Sequence, residues 1–440
     1  MTASLVAAWM FPSLFGFVFL GLPIAFALVV TAFLFGYGLL GDNLLLQFHN
    51  RIVDVASNYS LGAITLFVFM GSVLERTGIA GRMFEAIRMF LGPMRGGLAL
   101  STVALCAVFA ASAGVVGAVE ILVGMMALPA MTNAGYKKDL AAGTICAGGS
   151  LGTMIPPSIV VVIYASVADI GIGDLLAAMV VPAVVMVGLF VVYILVRCTI
   201  DPEAGPGVDP ATITLSLGQK LWFLLVAFIP AILLMIGVLG SIFAGIAAPT
   251  EAAAVGAAGA LILAVVYRQL NLQVLYEALK RTVTVSSMVI FIIVGGTMFS
   301  SVFLLNGGNT LVKDLISAFE LTPTMILVMF LAILFVLGFV LDWISIVLIA
   351  VPIFAPVIKA VGLDPVWVGV LACIMLQTSY LTPPMAPSIF YLRAIAPPDM
   401  SYMDMYRGVI PFILLQVVTM ATVIFFPESA TWLPDVLFGF

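Results

Sequence analysis

Residues 4–41 contain no charged side chain. As one helix this run would extend about 57 Å, against a bilayer hydrocarbon core of about 30 Å. It must break, and Gly21-Leu22-Pro23 is the expected place. Comparable apolar blocks cover 97–134, 140–168, 175–196, 221–267, 285–306, 322–363, 366–396 and 408–427. Such long continuous blocks indicate membrane helices rather than the short alternating strands of a membrane β-barrel. With 64% of the chain apolar and 8% charged, a soluble domain and a disordered chain are both excluded. The expected fold is an all-α integral membrane protein with about 11–13 membrane segments.

The chain also repeats itself. At an offset of 227 residues, Pro129, Gly135, Cys146, Pro156, Pro157 and Tyr164 meet Pro356, Gly362, Cys373, Pro383, Pro384 and Tyr391 without a gap. Prolines and glycines carry geometric meaning, so their coincidence argues for a structural repeat. At an offset of 226, Pro23 meets Pro249 and Gln47 meets Gln273. Segments 46–56 and 272–282 then fall in register, and both place their polar residues on one arc of a helix: Asn50, Arg51 and Asp54 in the first, Glu277, Lys280 and Arg281 in the second. Two amphipathic arm helices along the membrane surface are expected. A third amphipathic helix is expected over 79–91, whose arginines suggest the cytoplasmic side. The polar stretch 198–219 divides the chain into a first repeat, 1–197, and a second, 220–440. Matching breaks in two repeats are the signature of a secondary transporter, and the repeats are inverted if each half crosses an odd number of times.

The breaks carry the candidate chemistry. In GGSLGTMIPPSI (148–159) three glycines and two prolines interrupt an apolar block. Proline cannot donate a backbone hydrogen bond, so carbonyls upstream lose partners, which the membrane tolerates only where protein, water or an ion satisfies them. Gly149, Ser150, Thr153 and Ser158 therefore read as candidate ligands for a hard cation such as Na+, with a proline kink and structural hydroxyls as the alternative. Thr378, Ser379 and Thr382, beside Gln377 and Pro383-Pro384, form the copy in the second half. Gly114 and Gly117 permit either unwinding or close helix packing. Glu120 and Asp342 are carboxylates inside apolar blocks, which are costly in lipid and point to function, although Asp342 is also placed to cap the next helix. Thr250 and Glu251 read as a structural helix start. Residues 61–74 are short for a full span and suit a re-entrant segment, with 285–306 as its partner.

Other features exclude competing classes. Four cysteines without CxxC spacing read as buried small residues, and His49 as a solvated surface group. No enzyme is expected, because no cluster of His, Cys and carboxylate is present to serve one. No GxxxxGK[ST] motif supports ATP hydrolysis by this chain. A channel would need a ring of filter residues from several subunits, whereas a broken pair within one chain favours a carrier. A net charge of −5 with scattered basic residues gives no support for nucleic-acid binding. No cleavable signal peptide is expected.

GGSLGTMIPPSI (148–159), APTEAAAVGA (248–257), LGFVLDWISIVLIAVPIFAPV (337–357) and LQTSYLTPPMAPSIFYLRAIAPP (376–398) resemble the large membrane subunit, DctM type, of tripartite ATP-independent periplasmic (TRAP) transporters. GYKKDLAAGTICAGG (135–149) and YRGVIPF (406–412) fit as well, and the resemblance spans roughly 10–430. It implies a bacterial inner-membrane, Na+-driven importer of organic acids, without a further cofactor. It also implies a periplasmic substrate-binding protein (DctP type), a small four-helix membrane subunit (DctQ type), and an elevator-type fold with re-entrant hairpins. Departures occur at Gly114-Val115-Val116, where relatives often carry Gly-Ser-Ser, at Met385-Ala386-Pro387, where they carry Phe-Gly-Phe, and at Thr65, where proline is common. The lost serines favour a small mono- or dicarboxylate, such as a 2-oxo or 2-hydroxy acid, over a polyhydroxy acid. Gly114, Gly117, Asp342 and Arg393 are the expected substrate contacts.

Overall fold

The structure is a computed structural model that describes residues 3–113, 116–209 and 216–439. Among these residues it is helical, with no strand. The first half contains α1 (Ala3–Phe19), α2 (Ile24–Leu40), α3 (Asn43–Ala56), α4 (Gly62–Arg76), α5 (Ile79–Leu91), α6 (Gly97–Ala113), α7 (Val116–Asn133), α8 (Lys138–Ser150), α9 (Ile159–Ala168) and α10 (Ile172–Ile200). The second contains α11 (Leu217–Phe243), α12 (Pro249–Val266), α13 (Leu272–Leu305), α14 (Gly308–Ala318), α15 (Pro323–Leu337), α16 (Trp343–Ala360), α17 (Pro365–Leu381), α18 (Pro387–Arg393), α19 (Tyr402–Phe425) and α20 (Glu428–Phe438).

The first apolar run breaks where expected. Gly21 sits at φ +90°, in the left-handed region that glycine enters freely, and Pro23 opens α2. By length and composition, six helices among the described residues are long and apolar enough to cross a membrane: α10, α11, α12, α13, α16 and α19. The bent pair α3 and α4 makes a seventh if it counts as one span. Seven further apolar helices are only 10–17 residues long. The expected 11–13 segments are therefore divided between full-length spans and short helices, because glycine, proline and polar breaks interrupt the blocks.

The two arms differ. α3 ends at Ala56, capped by Ser57, and the helical stretch Tyr59–Arg76 that includes α4 departs from it at 56°. The Asn58 side chain accepts the Ser60 N–H at 3.0 Å, so a local turn competes with helix continuation. In the second half Thr284 stands at the equivalent place. Its hydroxyl donates back to the Lys280 carbonyl at 2.9 Å and leaves the helix intact. The expected arm 272–282 and its following segment are consequently one unbroken 34-residue helix, α13. α5 forms as expected, burying Ile79, Met83, Phe84 and Ile87 on one face.

Helix α12 corrects one detail. Its N-cap is Ala248, Pro249 is the first helical residue, and the Glu251 carboxylate accepts the Ala248 N–H at 2.9 Å. Thr250 is buried and does not cap. The polar stretch 198–219 is also partly structured. Residues 198–200 complete α10, and 201–208 fold back, with Gly96 and Val208 donating backbone bonds to Gly205 and Gly92.

Packing brings the halves together. α4 lies mainly on α12 and α13, and α8 lies mainly on α19 and α7. The α8–α19 crossing is close because a Cβ on Gly143 would fall 2.1 Å from the Gly408 carbonyl oxygen. Glu75 and Arg76, at the end of α4, pair with Arg281 and Glu277 on α13.

Candidate functional site

Both proline-broken segments are hairpins. In the first, α8 ends at Ser150, a 3-10 turn covers Leu151–Thr153, and α9 restarts at Ile159. In the second, α17 ends at Leu381 and α18 restarts at Pro387, after Ala386 at φ +39°. The Pro156-Pro157 and Pro383-Pro384 peptide bonds are both cis.

The polar side chains at the breaks are buried, except that of Thr382, which is half-buried. Ser150 donates to the Ala147 carbonyl at 2.8 Å, Thr153 to that of Ser150 at 2.9 Å, and Ser158 to that of Thr153 at 2.8 Å. Thr378, Ser379 and Thr382 donate to the carbonyls of Ile374, Leu376 and Thr378 at 2.7–2.8 Å. Each hydroxyl thus directs its hydrogen into the local backbone, and apart from Ser150, whose oxygen accepts from Gln377 and Gln416, these oxygens keep lone pairs to offer elsewhere. Uncharged oxygens of this kind fit a hard monovalent cation.

The two breaks touch through side chains. Gln377, on α17, donates through Nε2 to Ser150 Oγ at 3.2 Å, and Gln416, on α19, does so at 3.4 Å. All three residues are fully buried. The amide oxygens of Gln377 and Gln416 have no hydrogen-bond partner. The tyrosines of the repeat also cross between halves. Tyr391 packs on Gly117 of α7, and Tyr164 on Gly369 of α17, each so closely that a Cβ on the glycine would lie 2.7–2.9 Å from the ring.

A cavity of about 690 Å³ lies between these elements. Its walls come from both halves: the start of α2, Gly117 and Ile121 on α7, Ile159 and Val160 on α9, the middle of α13, Gly338 to Ile346, Ser379 and Tyr380 on α17, and Met385, Pro387 and Tyr391 at the second break. Most of the lining is apolar, and its two charged groups are Arg281 and Asp342. Asp342 caps α16, accepting the Ile344 N–H at 3.1 Å and the Ser345 hydroxyl at 2.5 Å. The Nη1 of Arg281 pairs with Glu75 at 2.9 Å, and no other acidic partner is seen among the described residues. The other guanidinium donors remain for an anion.

The structure brings Gly117, Asp342 and Ser379 to this cavity, and places Ser150, Thr153, Ser158, Thr378 and Thr382 at the two breaks. Gly149 faces Glu120, because a Cβ on Gly149 would lie 1.9 Å from Glu120 Cγ. Gly114 lies outside the described residues. Arg393 is not on the cavity wall. Its guanidinium donates to the Met400 carbonyl at 2.7 Å and stands over the Tyr402 ring. Arg281 is the basic residue on that wall. Its sequence signal, the polar arc of an arm, did not show that α13 continues straight into the cavity wall. Gln416 was also missed, although a glutamine amid the apolar block 408–427 is itself a signal.

A polytopic helical protein with two broken hairpins facing a cavity lined by both halves belongs to the class of membrane transporters. The fold matches that of the YdaH transporter of Alcanivorax borkumensis, with TM-score 0.66 and 14% identity, over 100% of this chain and 99% of that one. Residues 11–429 match the family model for the tripartite ATP-independent periplasmic transporter, DctM component, and the chain belongs to that family. It is 31% identical to the ectoine/5-hydroxyectoine TRAP transporter large permease protein of Ruegeria pomeroyi, over 99% of this chain and 100% of the relative. It is 30% identical to the C4-dicarboxylate TRAP transporter large permease protein of Pseudomonas aeruginosa, over 88% of each. Identity is also 30% to the sialic acid TRAP transporter large permease protein of Vibrio cholerae, over 97% of this chain. The chain is the large permease subunit of a TRAP transporter, a multi-pass protein of the bacterial inner membrane.

Proposed function

We propose that this subunit carries a small organic acid into the cell by Na+-coupled symport. The substrate would be a dicarboxylate, a 2-oxo acid or a 2-hydroxy acid, handed over by a periplasmic binding protein of the DctP type. A small four-helix subunit of the DctQ type would complete the complex. The observation that carries this reading is Arg281 on the wall of a mostly apolar cavity lined by both halves. A guanidinium holds a carboxylate through charge-assisted hydrogen bonds, and Arg281 keeps donors that Glu75 does not occupy. Gly117 and Asp342 contribute cavity wall, and the hydroxyls at the two breaks supply the cation ligands. Bound Na+ supplies positive charge next to the anion. The chain's own residues orient the carboxylate at Arg281 and exclude water with Ile121, Val285, Met288 and Trp343.

The division into repeats 1–197 and 220–440 around the linker 198–219 is part of this proposal. Matching helix order supports it: α1 and α11, α2 and α12, α3–α4 and α13, through to α10 and α19. Movement of the hairpins against the α4, α12 and α13 scaffold would make the carrier an elevator. Opposite charges at Arg281 and Asp342 favour a second substrate class, a zwitterionic acid such as ectoine.

The test is uptake into proteoliposomes containing this chain, its small subunit and its binding protein. C4-dicarboxylates, 2-oxo acids, 2-hydroxy acids and ectoine are offered with and without an inward Na+ gradient. Saturable uptake that needs Na+ and the binding protein, and that weakens in Thr382→Ala, is the expected result. Uptake driven by protons alone would replace the coupling ion. Non-saturating flux without the binding protein would mean an anion channel.

A further inference from the structure

Glu120 is a buried carboxylate with no countercharge. It is fully inaccessible, both of its oxygens lack a hydrogen-bond partner, and no Lys, Arg or His pairs with it among the described residues. An isolated ionised carboxylate in such surroundings is strongly disfavoured, so Glu120 is neutralised either by a proton or by a bound cation. The position is fixed by both hairpins. On one side Gly149 of the first break leaves room for the carboxylate, since a Cβ there would fall 1.9 Å from Cγ and 3.0 Å from Oε1. On the other, the hydroxyl of Ser388, the second residue of α18, lies beside the Glu120 carboxylate and is itself buried. Next to Gly149, Ser150 holds the amides of Gln377 and Gln416, whose buried oxygens are also unpartnered.

We propose that Glu120 and Ser388 form a monovalent-cation site of the Na+ type that joins α7 to the second hairpin, against Gly149 of the first. This rests on the Na+-coupled reading and gives it a charged ligand. One carboxylate matches one positive charge. Among the described residues no cluster of three His, Cys, Asp or Glu is present that would call for a divalent or soft metal. The unpartnered groups are hard oxygens, as Na+ prefers. Because the ligands come from α7 and from the second hairpin, and Gly149 of the first hairpin packs against Glu120, a bound cation would tie these elements together, and its loss would leave Glu120 to be neutralised by a proton.

The test is a NaCl titration of the full chain in detergent, with choline chloride holding ionic strength constant, read by thermal unfolding. Binding to the folded state raises the melting temperature with ligand concentration, so the midpoint reports affinity. The wild type is expected to be stabilised by Na+ and not by choline. Glu120→Gln, which removes the charge and keeps the shape, is expected to melt at or above the wild type in choline and to need more than tenfold more Na+. Ser388→Ala is expected to raise the Na+ midpoint several-fold, and it serves as the second reading if Glu120→Gln does not fold. Unchanged Na+ midpoints in both variants, with a normal wild-type response, would overturn this site and leave Na+ coupling standing. A wild type indifferent to Na+ in both unfolding and uptake would overturn both.

Discussion

Gln377 donates to Ser150 at 3.2 Å, and the two residues are separated by the 227-residue offset of the repeat. The equivalent positions of the two hairpins therefore meet face to face. A break in one hairpin is satisfied in part by the side chain that occupies the same place in the other. This contact makes one buried polar centre out of two proline-broken segments, which neither could stabilise alone in lipid.

Breaking the contact should couple stability and transport. Replacing Gln377 with alanine removes a buried donor to Ser150 and should cost about 1–3 kcal/mol. Combined with Ser150→Ala, the losses should add to less than their sum, because the two changes remove one shared bond. A double-mutant cycle on unfolding would check this, and strict additivity would count against a direct interaction.

Gly149→Ala should be severe. Its Cβ would lie 1.9 Å from Glu120 Cγ, so either the α7–α8 packing or the carboxylate must move. Expression and Na+-dependent uptake should both fall steeply. Gly188→Ala, on α10 with nothing within 4 Å, is the matched control and should behave like the wild type.

Arg281→Gln should raise the apparent KM for an acidic substrate about 10- to 100-fold, the loss of one charge-assisted contact. Glu75→Gln should have a smaller effect, because it loosens the placement of Arg281 but keeps its charge. Arg393→Gln should leave KM near the wild-type value, since Arg393 is engaged with Met400 and Tyr402 away from the cavity. Initial-rate uptake over a range of substrate concentrations separates these three outcomes.

The loop after α10 should be sensitive to acid. The Lys137 ammonium hydrogen-bonds to Asp201, and with Arg197 nearby it holds the carboxyl below the usual carboxylate range. A depressed native pKa contributes stability above the unfolded value of about 3.9, and that contribution is lost as pH falls through the lower native value. The protection factors of the Gly96 and Val208 amides, which anchor this loop, should fall in that range and not near neutral pH. Asp201→Asn should show the lower protection at neutral pH.

Much of this protein was legible in the chain itself. The length of the apolar blocks required membrane helices, because no soluble fold can bury them. The break at Gly21 and Pro23, the amphipathic α5 and the two proline breaks follow from local chemistry that acts within a few residues. The repeat offset identified which residues were equivalent. What the sequence left open were matters of direction and contact. Asn58 and Thr284 occupy equivalent places, yet one stops its helix and the other does not, so Arg281 ends on the cavity wall and not on a separate arm. Arg393 stands beside a break in sequence but turns away to Met400. Glu120 and Gly149, 29 residues apart, meet only because α7 and α8 pack together, and Ser150 finds Gln377 and Gln416 only when the hairpins face each other. Helix and break formation depend on neighbours along the chain. The composition of a buried polar site depends on which helices lie side by side, and that is decided by packing over the whole molecule.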